Sequence, residues 1–227
     1  MHFVVLGLIA LAILFGPQLW ARRVLSRYSR PRHDFPGSGG QLARHLLDRM
    51  GMEAVKVEAT QMGDHYDPVA KAVRLSPQNL DGSSLTAVVV AAHEVGHALQ
   101  DHLGYAPLRW RTRLVKLASV AEKTGSGVMM VMPLVAAVTR SPSVGAAMFG
   151  VGLVTMAGAT LVHLVTLPVE WDASFKRALP LLNAGKYLNV DDQKAARKIL
   201  RACALTYAAA SLASLLNVWR WLRLWRR

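Results

Sequence analysis

Two histidines and a glutamate near the middle of the chain have the types and spacing of a metal site. The segment reads His93-Glu94-Val95-Gly96-His97, which separates the two histidines by one helical turn. Residues four apart on a helix lie on the same face, so both imidazoles could bind one tetrahedral Zn²⁺. Glu94 would then lie beside the metal and accept a proton from a bound water without binding the metal itself. The pattern predicts zinc-dependent hydrolysis with His93 and His97 as ligands and Glu94 as the general base.

The residues around this motif predict a single helix of about five turns. Ser83 or Ser84 can cap its start, and Gly104 can end it. The extended form of the motif, which takes a third histidine from just beyond the helix, needs glycine at position 100 and histidine at position 103. Gln100 and Leu103 stand there. The third ligand must therefore come from another part of the chain.

The composition indicates a membrane protein. Hydrophobic residues make up 52% of the chain and charged residues only 18%, which is unlike an ordinary soluble domain. Arg22 and Arg23 follow the first apolar run directly, with no cleavage site between, so we expect an uncleaved anchor. We expect a mainly α-helical integral membrane protein with about four transmembrane helices, a zincin-like motif helix and a small β-hairpin. The four apolar runs are residues 3–20, 125–138, 144–168 and 202–218.

The net charge of +13 would suggest a nucleic-acid partner in a soluble protein. Here arginines cluster after the first apolar run and at the carboxyl end, where anionic headgroups account for them. We therefore expect the lipid bilayer as a partner and no nucleic acid. The arginines after the first run predict an active site facing the cytoplasm in a multi-pass protein of the inner (plasma) membrane. The lone Cys203 excludes an intramolecular disulfide and a cysteine-rich metal site.

Alternating residues ahead of the motif predict the hairpin. Residues 55–58 and 71–75 alternate between apolar and polar types, and residues 63–68 between them have the composition of a turn. An edge strand beside the motif helix could hold a substrate backbone in extended form. The predicted organisation is an anchor (1–21), a zinc-peptidase region (22–124), two transmembrane helices (125–168), a segment with the third ligand and a helix (169–201), and a transmembrane helix with a basic interfacial tail (202–227).

Topology suggests where the third ligand lies. If the second and third apolar runs both cross, the chain returns to the side of the histidines just after Pro168, at Glu170. The alternative is that Glu170 is a boundary acid solvated by headgroups. Asp172 could accept the second ring N–H of a ligand histidine, or it could simply be an acid at a helix start.

Four further residues are candidates for supporting roles. His65 and Tyr66, in the predicted turn, could stabilise the oxyanion of a tetrahedral intermediate, although an ordinary polar turn explains them too. His163 precedes Glu170 by seven residues and could line the cavity or bond another helix. Tyr207, within the last apolar run, could face the site or serve packing alone.

Three segments together resemble a known family. They are A-A-H-E-V-G-H-A-L-Q-D, D-H-Y-D-P with K-A-V-R-L-S, and L-P-V-E-W-D-A-S-F-K-R-A-L, and they resemble the YugP-like family of bacterial neutral zinc metallopeptidases over residues 1–217. The resemblance implies zinc at His93, His97 and Glu170, with Glu94 as the base. More distantly, the chain is similar to membrane peptidases that have aspartate four residues after the ligand glutamate, where this chain has Ser174.

These observations predict a membrane-embedded zinc endopeptidase that hydrolyses membrane-associated polypeptides near the cytoplasmic surface, in processing or quality control. One alternative is an intramembrane site-2-type protease, but the apolar segment between Asp81 and Asp101 has too few residues ahead of the motif to span. The other is a non-proteolytic scaffold or chaperone with a structural zinc. Glu94 speaks against it, because a structural site needs no base.

Overall fold

The computed structural model describes residues 2–139, 143, 147, 150, 151, 162 and 165–206. Residues 165–184 form one continuous helical run with a π-helical segment in its middle. The elements are α1 (His2–Arg27), α2 (Gly39–Arg49), β1 (Lys56–Ala59), β2 (His65–Asp67), β3 (Ala72–Leu75), α3 (Pro77–Leu80), α4 (Leu85–His102), α5 (Ala106–Thr139), α6 (165–171), π1 (Asp172–Ala178), α7 (Leu179–Ala184) and α8 (190–206).

The motif helix α4 lies at the centre of the fold. Ser84 caps it by accepting a hydrogen bond from the backbone N–H of Ala87 at 3.1 Å, and Gly104 follows its end with a φ of +64°. Its residues from Leu85 to Ala98 are all buried, because α2, π1 and β3 each pack against it. A helix that is apolar on every face is stable only in such a position. The predicted helix is confirmed.

Two neighbouring helices hold the amino-terminal end of α4. Thr86 donates its backbone N–H to Tyr28 O at 3.1 Å and its hydroxyl to Leu25 O at 2.8 Å, which fastens the end of α1. A Cβ on Gly39 would lie only 2.6 Å from Ala87 O, so α2 begins in direct contact with α4. Both contacts fix the helix that carries the motif.

The three strands form a sheet in the order β1-β3-β2. A small hairpin is present, but β2 and β3 form it, whereas β1 pairs with β3 in parallel. The prediction that paired residues 55–58 with 71–75 as a hairpin is therefore wrong. Asp67 closes a tighter turn than expected by accepting from the N–H groups of Val69 and Ala70 at 2.8 and 3.0 Å. Residues 65–67, predicted as turn, consequently become a strand.

The prediction of an integral membrane fold with about four transmembrane helices is also wrong. The structure is mainly helical with a small sheet, and none of its helices, in the part of the chain that it describes, is both long and apolar enough to cross a membrane. Runs 3–20 and 125–138 lie in α1 and α5, whereas most of runs 144–168 and 202–218 lies outside the described residues. Many of the apolar residues that raise the hydrophobic fraction fill the core around α4.

Candidate metal centre

Three side chains from two helices converge beside the middle of α4. The Nε2 atoms of His93 and His97 lie 3.3 and 3.2 Å from Oε2 of Glu170. All three residues are buried, and Glu170, at the end of α6, is completely so. Because His93 and His97 are four residues apart on α4, their rings lie on the same side of that helix. The carboxylate of Glu170 comes from α6 and faces both rings.

The geometry of these three groups fits a zinc ion. In a tetrahedral site with metal–ligand bonds of about 2.0–2.1 Å, neighbouring ligand atoms lie about 3.3 Å apart. The two distances to Glu170 agree with that separation, and the possible ligand atoms of all three residues lie within 4.8 Å of one another. Two imidazoles and a carboxylate also match the donor set of catalytic zinc sites, which leave a fourth position for water.

The outer ring nitrogen of His97 is bound by a glutamine. His97 Nδ1 lies 2.9 Å from Oε1 of Gln100, one turn further along α4. The amide nitrogen of Gln100 donates to Val169 O and to Asp172 Oδ2, both at 2.8 Å. Arg177 Nε donates to the same carboxylate oxygen at 2.7 Å. This chain of bonds joins α4 to α6 and π1.

The outer ring nitrogen of His93 is bound by a serine. Its Nδ1 lies 3.1 Å from Oγ of Ser174. The same hydroxyl donates to the backbone carbonyl of Leu200 in α8 at 3.2 Å. Ser174 is completely buried. It is the position at which more distant peptidases have aspartate, and here a neutral hydroxyl contacts the histidine.

The electrostatics of Glu170 favour its ionised form. Burial alone would raise the pKa of its carboxyl, but the facing rings of His97 and His93 outweigh burial and lower that pKa well below the usual value. Nη2 of Arg111, from α5, lies 3.5 Å from Oε1 of Glu170. That oxygen has no hydrogen-bond partner among the described residues. Glu170 thus presents one oxygen to the histidines and the other to a guanidinium.

A cavity of about 300 Å³ opens beside these groups. Burial raises the pKa of Glu94, which lines it, to about 7, so this carboxylate is poised to exchange a proton near neutral pH. A larger cavity, about 580 Å³, lies between residues 34–45 and 186–192 and contains none of the predicted site residues. The smaller one is lined by Met62, Asp64, His65, Tyr66, Glu94, His97 and Arg111.

Of the residues predicted to support the metal site, some line the cavity and others do not. His65 lines the cavity, and its Nδ1 lies 2.8 Å from Gly63 O. Tyr66 also lines it, but its hydroxyl donates to Asp101 at 2.7 Å, and burial together with that bond raises the pKa of Tyr66 well above the usual value. Asp172 contacts Gln100 rather than a ring N–H. His163 and Tyr207 lie outside the described residues.

Comparison with known proteins assigns the chain to a family. A family model described as "Putative neutral zinc metallopeptidase" matches residues 3–226. The chain belongs to this family. It is also 34% identical, over 97% of its own length and 95% of the relative's, to "Putative membrane protease YugP" of Bacillus subtilis (strain 168). No solved structure matches the chain significantly. Membership of a zinc metallopeptidase family agrees with the zinc geometry of the His93, His97 and Glu170 cluster.

Three contributors to this metallopeptidase site are not evident from the sequence. Gln100 follows His97 by three residues, so the two side chains lie on the same face of the helix. A polar amide at that position in a mostly apolar segment could have indicated a partner for the ring. Ser174 was noted only as a departure from the aspartate of distant peptidases. Arg111 lies among other basic residues, and no local pattern in the sequence distinguishes it from Arg109 and Arg113.

Proposed function

We propose that this chain is a zinc-dependent endopeptidase in which His93, His97 and Glu170 bind zinc and Glu94 is the general base. The convergence of the two Nε2 atoms on one oxygen of Glu170, at 3.2 and 3.3 Å, carries the proposal. Two imidazole nitrogens and an ionised carboxylate oxygen at that spacing are suited to hold Zn²⁺ with one position left for water.

Glu94 performs the proton transfers. Zinc, when bound, polarises a carbonyl and lowers the pKa of its bound water to about 7. Glu94 follows His93 directly and lines the cavity beside His97. With its own pKa raised to about 7 by burial, it accepts the proton of the attacking water and then passes it to the leaving amine.

The polypeptide substrate lies along β2. Within the described residues this strand pairs only with β3 and is an edge of the sheet. Its residues His65 and Tyr66 line the cavity that contains Glu94 and His97. An extended peptide added to such an edge would be held by main-chain hydrogen bonds and would present a peptide bond to the cavity beside Glu94 and His97. This mode suits cleavage within a chain.

His65 and Arg111 are the groups available to the carbonyl oxygen of that peptide bond. Both line the cavity. The guanidinium of Arg111 always carries its charge, whereas His65, whose Nδ1 faces Gly63 O, donates through Nε2 only when the ring is protonated. Arg111 is therefore the better electrostatic partner for a developing oxyanion at neutral pH.

The substrates include membrane-associated polypeptides, acted on at the inner (plasma) membrane in processing or quality control. This part of the proposal rests on the name of the Bacillus subtilis relative, a membrane protease, together with the strongly basic composition of the chain, +13 in net charge. A basic protein is drawn to the anionic surface of the cytoplasmic leaflet.

Hydrolysis of casein by the purified full-length protein tests the proposal. We expect activity that a chelator abolishes and added zinc restores, and that Glu94→Gln removes without loss of bound zinc. A protein that binds zinc, loses stability on chelation and never cleaves casein or peptides would instead be a scaffold with a structural zinc.

A further inference from the structure

We propose that Tyr66 and Asp101 are positioning residues that hold strand β2 against the motif helix and thereby give the enzyme a preference for extended polypeptides over short peptides. The inference rests on the proposed function, in which the substrate lies along β2 beside Glu94. A substrate strand can align a peptide bond with the general base only if the strand itself is fixed relative to that base.

The sheet alone does little to fix β2. The strand is three residues long, His65–Asp67, and within the described residues it pairs on one side only, with β3. A hairpin of two such short strands is marginally stable by itself, so its position depends on contacts with other elements. Without those contacts, the free edge that receives the peptide would move with the hairpin.

The side chain of Tyr66 supplies the contact with α4. Tyr66 is the middle residue of β2 and is buried, and its hydroxyl donates to Oδ2 of Asp101 at 2.7 Å. Asp101 follows His97 by four residues, so its carboxylate lies on the same face of α4, one turn further along. Tyr66 therefore joins β2 to the face of α4 that carries the two histidines.

A lysine from the same hairpin also binds Asp101. Nζ of Lys71 donates to the carboxylate oxygen that accepts from Tyr66. Lys71 lies at the end of the turn between β2 and β3, where its φ is +51°. The side chain of Asp101 is largely buried, and hydrogen bonds to a charged group are stronger than those between neutral groups. One carboxylate of α4 thus holds both the strand and the turn that follows it.

The residue before β2 is held by a different helix. Oδ1 of Asp64 accepts from the backbone N–H and the hydroxyl of Ser76 at 2.7 and 3.0 Å, and Oδ2 accepts from Nδ2 of Asn79 at 2.8 Å. Ser76 immediately precedes α3, and Asn79 is within it. The strand is consequently held at its start by α3 and at its middle by α4, which keeps its free edge beside the cavity.

The bond to Asp101 indicates that Tyr66 acts through the strand and not on the reacting atoms. A phenol has one proton to donate, and Tyr66 donates it to Asp101. The hydroxyl therefore has no second proton to give to an oxyanion. A substrate that occupies only the cavity should depend less on this placement of β2 than a substrate that pairs with the strand.

Two peptides of different length test the inference on the zinc-loaded, full-length protein. One has about ten residues and comes from a casein sequence that the enzyme cleaves. The other is the shortest blocked peptide with the same central residues that the wild type still cleaves. We expect the wild type to have the higher kcat/KM for the longer peptide. Tyr66→Phe should lower the ratio of the two kcat/KM values about tenfold or more.

Hydrogen exchange of the zinc-free protein gives a second reading that does not depend on activity. The amides of residues 65–67 should exchange faster in Tyr66→Phe than in the wild type, because the strand has lost its bond to α4. Tyr187→Phe is the matched control. The hydroxyl of Tyr187 also contacts another side chain, Arg49, at 3.4 Å, but Tyr187 lines the larger cavity. This variant should change neither the exchange of β2 nor the ratio.

Two substitutions at the acceptor test the same bond from the other side. Asp101→Ala should lower the ratio, and adding Tyr66→Phe should lower it no further, because both changes remove one bond. Asp101→Asn still accepts from Tyr66 and should retain most of the wild-type ratio.

The inference is wrong if β2 of Tyr66→Phe exchanges at the wild-type rate, if Tyr66→Phe slows both peptides equally, or if the wild type does not prefer the longer peptide. Should Tyr66→Phe not fold, equal ratios in Asp101→Asn and Asp101→Ala would also refute it. Wild-type protein that cleaves no peptide at all would overturn the proposed function instead.

Discussion

A Cβ atom on Gly96 would lie 2.7 Å from the backbone oxygen of Ala173. Gly96 is within the motif, between Glu94 and His97, and Ala173 is in π1, just after Glu170. The backbones of the two ligand-bearing helices therefore touch at this point. The glycine of the motif permits an approach that any side chain would prevent.

Replacement of Gly96 by alanine should separate the two helices. The backbone oxygen cannot move independently of π1, so we expect a loss of about 1–3 kcal/mol in the free energy of unfolding and a fall in bound zinc. Gly16→Ala is the matched control, because Gly16 is also helical and a Cβ there meets nothing within 4 Å. Urea unfolding and metal analysis of both variants provide the comparison. If Gly96→Ala has the stability and zinc content of the wild type, the close approach of α4 and π1 is not needed for either property.

Substitution of the two glutamates should distinguish a ligand from a base. Glu170→Gln replaces an anionic oxygen by a neutral amide, so zinc content and activity should both fall. Glu94→Gln leaves the three ligands in place, so zinc should remain near one per chain while activity drops by about 10²-fold or more. Metal analysis of the purified variants measures the difference. Full zinc occupancy in Glu170→Gln would remove this residue from the coordination sphere.

Arg111→Gln should impair catalysis more than folding. The substitution removes a positive charge that lies 3.5 Å from Oε1 of Glu170 and that lines the cavity. We expect kcat/KM to fall about tenfold or more, with a smaller change in the unfolding midpoint. Arg113→Gln serves as the control, because Arg113 is exposed and lies over the ring of Trp110. Equal losses in the two variants would assign Arg111 a role in net charge only.

Asp67 should make the hairpin sensitive to acid. Hydrogen bonds from the N–H groups of Ala70 and Val69 lower the pKa of Asp67, with a further contribution from Arg74. A lowered pKa means that the ionised form stabilises the folded state above about pH 4, and that this contribution is lost as the pH falls through the folded-state pKa. Asp67→Asn should therefore cost up to about 1 kcal/mol at pH 7 and less at pH 3, where part of the ionised form has been lost.

Unfolding of this variant by urea at both pH values checks the prediction. The exposed Glu53, in the turn before β1, provides a control, since Glu53→Gln should have little effect at either pH. If Asp67→Asn lowers the free energy of unfolding by the same amount at pH 3 as at pH 7, the charge of Asp67 does not stabilise the hairpin.

The motif helix was predictable because its signals are local. Ser84, the apolar residues after it and Gly104 act within one helix, and each keeps its role in the structure. The sheet was not predictable in the same way. Whether β3 pairs with β1 as a hairpin or in parallel depends on the turn closed by Asp67 and on contacts with α4, which alternation along the chain does not record.

The candidate site divides along the same line. Spacing within α4 brings His93 and His97 together. Glu170 was predicted from a membrane topology that the structure does not support. Its carboxylate nevertheless lies beside both rings. The partners of those rings come from distant segments. Ser174 lies 81 residues from His93 in sequence, and no periodicity links two such positions.

The hydrogen bond from Ser174 to Leu200 O, 26 residues further along the chain, has a consequence for biosynthesis. On the ribosome the motif emerges long before α8, and chains emerge at about 5–20 residues per second. For several seconds a nascent chain therefore exposes two histidines and a glutamate without the carbonyl that holds Ser174 in place. Assembly of the complete centre therefore awaits the emergence of α8.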